Sequence, residues 1–130
     1  MHATSSFVLD SNVEDPASVF EYDGVHSNQM RIEKTFTGDL AGRGSVNMLS
    51  VRGATGAGYV ALERINGTLH GRSGGFSLLH IGTLVGSEQW ARWPIVAGSG
   101  TGELRTIRGE GRIDIDAQGN HTFTIDYQLD

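Results

Sequence analysis

The residues with the most chemical promise are Glu63 and His80, both inside GYVALERINGTLHGRSGGFSLLHIGTLVGSEQWARWPI, residues 58–95. A carboxylate beside an imidazole in a water-poor cavity makes an acid–base couple, suited to abstracting a proton or orienting a ligand hydroxyl. The same two residues also suit a plain buried polar pair without chemistry, and the sequence leaves both readings open. Lys34 is the third candidate. It lies on the apolar side of an alternating run, where it balances Glu63, meets a ligand carboxylate, or reaches out to water along its own stem.

Whether these groups meet depends on the strands that carry them. Glycine pairs divide residues 58–95 into three successive antiparallel strands, and the turn sets the register of each pair. With Arg72-Ser73 at the centre of the first turn, Glu63 falls opposite Gly82 and diagonal to His80. A two-residue Gly86-Ser87 turn places His80 opposite Trp93 and Leu78 opposite Ile95. One face then carries Tyr59, Ala61, Glu63, Ile65, Phe76, Leu78, His80 and Trp93, and we read it as the lumen side. Tyr59, Phe76 and Trp93 are its candidate ligand-binding walls, joined by Met30, Lys34 and Phe36 from the run 28–37. The opposite face, Val60, Leu62, Arg64, Ser77, Leu79, Ile81, Trp90 and Arg92, is too apolar for water. Strands apolar on both sides are usually covered on both, so residues 58–97 are expected to form a homo-oligomer interface, most simply a dimer; the alternative is a loop or the long lid folded over this face.

The rest of the chain reads as strands of the same kind: 4–10, 28–37, 45–51, 112–116 and 121–129. In 45–51 the pairs Val46/Met48 and Leu49/Val51 leave the inner face undecided. A three-residue loop, Ala117-Gln118-Gly119, pairs Ile113 with Phe123. Residues 98–111 are glycine punctuation around Leu104 and Ile107. The acidic stretch 11–27, with Pro16 and Asp23-Gly24, reads as a long loop whose Val19, Phe20 and Tyr22 lie as a lid on an apolar mouth. Eight antiparallel strands in one 130-residue domain close most economically into an up-and-down barrel, which leaves no free edge. The expected fold is therefore all-β.

Composition removes several classes of function. The chain is acidic, with formal charge −5, and shows no basic footprint for nucleic acid. It has no cysteine, which excludes disulfide scaffolds, thiolate nucleophiles and cysteine zinc sites. No run approaches the roughly 20 apolar residues of a membrane helix, and the N-terminus has no signal-peptide pattern. A cytoplasmic protein without membrane partners is the expectation. The histidines at 2, 26, 70, 80 and 121 show no metal-ligand spacing, so no metal and no cofactor is expected. Ser73 and Ser99 lack a nucleophile-elbow context. The GSGTG run at 98–102 lacks the Lys-Ser/Thr end of a phosphate loop and reads as turns.

Three segments carry a resemblance: KTFTGDLAGRG (34–44), GYVALERINGTLHGRSGGFSLLHIGT (58–83) and AGSGTGELRTIRGEG (97–111). They resemble a small bacterial family of uncharacterised proteins placed with the allene oxide cyclase-like barrels. The third is also similar in plan to the GGTGxFxxARG segment of plant dirigent proteins. The resemblance implies an eight-stranded, often oligomeric barrel whose relatives steer reactive small molecules mainly by holding one conformation. Three functions remain open: an isomerase or cyclase acting on a small, mostly apolar or aromatic substrate, with Glu63 and His80 as its acid–base groups; a non-catalytic carrier of such a molecule; and a structural module with a filled lumen.

Overall fold

Alternation of side chains and closely spaced turns produce the architecture directly. In the computed structural model, which describes residues 1–130, eight long strands close into an antiparallel ring: β1 (His2–Glu14), β3 (Val25–Gly38), β4 (Leu40–Arg52), β5 (Gly56–Leu69), β6 (Arg72–Val85), β7 (Glu88–Pro94), β9 (Arg108–Ile115) and β10 (His121–Gln128). Each pairs with its neighbours in sequence, and β1 closes the ring by pairing with both β3 and β10. Two short strands lie outside the ring: β2 (Phe20–Tyr22) on β3 and β8 (Thr101–Gly102) on β6. No helix is long and apolar enough to cross a membrane.

The barrel is filled at one end and open at the other. A cluster that includes Phe7, Phe36, Leu40, Ile65, Leu69, Phe76, Leu78, Phe123 and Ile125 packs the closed half. Leu104 and Ile107, from the segment expected to be only punctuation, are each 1% exposed and plug that end. The inward residues of β4 are Val46 and Met48, while Leu49 and Val51 face outward.

Two of the expected registers hold. Ile113 pairs with Phe123 around a loop in which Gly119 has positive φ. Ile81 pairs with Arg92 and Leu78 bridges Ile95, as the Gly86-Ser87 turn requires. The β5–β6 register differs. Leu69 pairs with Arg72, so the turn residues are His70 (φ 49°) and Gly71 (φ 79°), not Arg72-Ser73. Two positive φ values suit the twist of a two-residue hairpin, and histidine tolerates that region better than most side chains. Tertiary contacts then hold it: the His70 N–H donates to the Asp39 carbonyl at 2.8 Å, and the ring bonds the Tyr127 hydroxyl. The slip brings Glu63 opposite Leu78 in place of Gly82. It is an even number of residues, so no side chain changes face, and Glu63 remains diagonal to His80, which lies opposite Ala61.

Residues 11–27 differ from the expected lid-like loop. β1 runs on to Glu14 and pairs with β3 as far as Met30, a single 3-10 turn follows at Pro16–Ser18, and β2 returns onto β3. Asp15 caps the turn by accepting from the Ala17 N–H. The segment is thus an ordered arm, and its Val19, Phe20 and Tyr22 are exposed instead of covering the mouth.

Candidate functional site

At the boundary between the packed half and the open half, three strands place three polar side chains together. Lys34 from β3, Glu63 from β5 and His80 from β6 are 6%, 1% and 6% exposed. One carboxylate oxygen, Glu63 Oε1, accepts from both Lys34 Nζ at 3.1 Å and His80 Nε2 at 2.7 Å. The ammonium also lies 4.4 Å from the centre of the Phe7 ring, whose π face favours a cation. A buried ammonium or carboxylate alone would be prohibitive, and each is the condition for the other.

Glycine makes the room. A Cβ on Gly44 would sit 2.2 Å from Glu63 Oε2, so the carboxylate rests directly against the β4 backbone. Oε2 is buried without a hydrogen-bond partner. Gly82 does the same for Tyr59. A Cβ there would come within 2.3 Å of the phenol ring, which therefore lies flat across β6 toward Trp93. Burial pushes the Tyr59 phenol above the ordinary tyrosine value, and the Trp93 indole N–H offsets part of that rise. The indole nitrogen nevertheless stays outside hydrogen-bonding geometry and is unpartnered.

Above this floor opens a cavity of about 790 Å³, within the range of small-molecule sites. Its walls include Ile32, Val46, Met48, Ala61, Trp93 and Ile113, and its rim carries His26, Arg52, Gln89, Asp114 and His121. Of the residues singled out from sequence, Lys34, Tyr59, His80 and Trp93 line it. Glu63 does not: it lies sealed behind Lys34 and His80, where it fixes their orientation. Phe76 and Phe36, 0% and 2% exposed, belong to the packed half; Phe76 lies opposite Ile65, one inward position below Leu78. Met30 does not line the cavity either, and its sulfur accepts from the Asn28 side chain. Sequence reasoning missed His121, which stacks on Phe7 with ring centres 4.8 Å apart. The alternation of β10 with Phe123 and Ile125 was the signal for it.

The hydrogen bonding fixes what His80 can do. An ionised carboxylate can only accept, so Nε2 carries a proton, and in the neutral form of the ring the lone pair is on Nδ1. Nδ1 has no protein partner and is not sealed off, in a residue that lines the cavity. No group of three or more His, Asp or Glu side chains is arranged to hold a metal ion.

The family described as "Protein of unknown function (DUF3224)" matches residues 3–127. The chain belongs to this family. A crystal structure at 1.84 Å of a DUF3224 protein with unknown function from Shewanella oneidensis MR-1 is similar over 100% of this chain and 98% of that one, with 32% identity and a TM-score of 0.91. No protein with a curated description matches. DUF3224 membership therefore carries the barrel but no activity, and any chemistry must be argued from the site.

Proposed function

We propose that this protein is a small-molecule-binding barrel of the allene oxide cyclase-like type. It acts as a cofactor-independent isomerase on a compact, mostly apolar substrate with one oxygen acceptor. The observation that carries this reading is the free Nδ1 of His80 at the floor of an apolar cavity, with its other nitrogen locked by a buried carboxylate. The floor is rich in donors. Lys34 has three N–H groups and gives one to Glu63, whose single oxygen Oε1 it shares with His80. A buried donor lacks only an acceptor, and a substrate carbonyl supplies it. In this reading the carbonyl oxygen rests on Lys34 while His80 Nδ1 takes a proton from the adjacent carbon. Lys34 stabilises the resulting dienolate oxygen, and His80 returns the proton at the γ carbon of a substrate whose C=C lies β,γ to the carbonyl, which moves the double bond into conjugation. Glu63 is a positioning residue. Trp93, Tyr59 and Ile113 hold the apolar body.

Calorimetric titration with two isosteric probes tests the binding half of this reading. 2-Acetonaphthone, which has the oxygen, is expected to bind about 10–100-fold tighter than 2-isopropenylnaphthalene, the worth of a hydrogen bond to a charged group. Lys34→Met/Glu63→Gln, which leaves no buried charge unpaired, should abolish the difference. Equal affinity of the two probes for the wild type would remove the oxygen from the proposal, and no binding of either would remove the cavity.

A further inference from the structure

Independently of the cavity, the outer face of β4–β7 is apolar in a way that closure of the barrel does not explain. The registers align Leu49, Val60 and Ile81 in one row that ends at Arg92, with Leu62 and Leu79 in the row beside it. Val51 and Trp90 flank them in a third row, with Thr83 between. Five of these side chains, Leu49, Val51, Val60, Leu62 and Trp90, are between 46% and 55% exposed.

Two arginines border the patch, and neither breaks it. Arg92 Nε is held sideways by Glu110 at 2.9 Å. Arg64 donates to the Ser99 carbonyl at 2.7 Å and to Thr101 Oγ1 at 2.8 Å. Both charges are thus turned along the barrel wall, leaving aliphatic stems beside the apolar rows. Each of β4–β7 is paired with a strand on both sides in the ring, so any partner on this face must pack through side chains.

The area matches one occupant. Half of a large side chain's roughly 150–200 Å², taken over the five half-exposed residues, is about 400–500 Å² of apolar surface. A standard interface buries about 800 Å² per partner, a little over half of it non-polar, or about 450 Å². An apolar face of uniform character is self-complementary, as an isologous two-fold contact requires. We propose that the outer face of β4–β7 is the interface of a homodimer. Val51, Thr83 and Trp90 also edge the cavity, so the interface reaches the mouth and sets a second chain beside it.

Sedimentation equilibrium of the purified chain at micromolar concentration tests this. The expected mass is twice the 14.0 kDa of the chain. Leu62→Arg, at a 54% exposed outward position, should keep the barrel's circular dichroism and weaken dimerisation about 100-fold by placing a charge in the contact. Should that variant precipitate, the milder Val60→Thr/Leu62→Thr pair provides the same readout. Val8→Lys, exposed on β1 away from the patch, should leave the dimer intact. A monomeric wild type would overturn the proposal and leave the face to a different partner. A dimer that persists in Leu62→Arg and in the threonine pair would overturn it by placing the contact elsewhere.

Discussion

Replacing Glu63 with glutamine keeps the side chain's shape and an oxygen for Lys34 and His80 to donate to, but removes the charge. Lys34, its side chain 7% exposed, then has no anion within reach, because Glu63 is its single ion-pair partner. Leaving one member of a buried pair uncompensated costs about 3–5 kcal/mol. At about 2.1 cal/mol/K of unfolding entropy per residue, 130 residues give about 0.27 kcal/mol/K. The melting temperature of Glu63→Gln should therefore fall by about 11–18 °C. Removing both charges in Lys34→Met/Glu63→Gln should recover most of the loss, because an apolar replacement of a buried pair is often neutral. Differential scanning calorimetry of the two singles and the double gives the coupling directly. Should Glu63→Gln melt within a few degrees of the wild type, the lysine has an escape to water and the ion pair is not sealed as described.

Other consequences are simpler to check. Gly82→Ala brings a methyl against the Tyr59 ring and should cost about 1–3 kcal/mol by overpacking in urea denaturation, while Gly86→Ala, with open space at its Cβ but positive φ, reports backbone strain alone. Hydrogen bonds from the Asn120 backbone and side chain, with those of Gln118 and Gly119, hold the Asp116 carboxyl below the usual aspartate value. The unfolded chain therefore binds the proton first as pH falls. This stabilisation is present above the ordinary aspartate pKa and is lost as pH drops through the folded value, so Asp116→Ala should flatten the acid limb of a stability–pH profile. The Tyr59 phenol, raised by burial, should ionise above the ordinary tyrosine value in an absorbance titration, in a step missing from Tyr59→Phe. Between the ordinary value and the raised one the unfolded state holds fewer protons, so this group makes the protein less stable as pH rises.

Much of the barrel was legible because strand facing has a period of two and turn chemistry constrains parity. Met30, Ile32, Lys34 and Phe36 share a side whatever the register. Glu63 and His80 share one under any β5–β6 register of the same parity, which explains why they meet although the turn lies elsewhere than expected. The misplacement has a physical cause: His70 holds a left-handed conformation because Asp39 and Tyr127, distant in sequence, grip it. Depth along the barrel axis was not legible. Phe76 and Trp93 face the same way, yet one is core and one is cavity wall. The division is set by Leu104 and Ile107, which plug only one end. Likewise the acidic composition of residues 11–27 hid a strand extension whose pairing with β3 needs no apolar face.

The central claim is that His80, oriented from behind by Glu63, acts as a base on a carbonyl compound in the cavity. Hydrogen–deuterium exchange at the methyl group of 2-acetonaphthone in D₂O, followed by proton NMR, tests it most directly, because exchange requires removal of a proton beside the carbonyl. The account predicts exchange faster with the wild-type protein than in buffer, and lost in His80→Gln while calorimetry still shows the probe bound. Binding of the probe to the wild type with exchange no faster than in buffer would contradict the account and leave the cavity as a carrier's site.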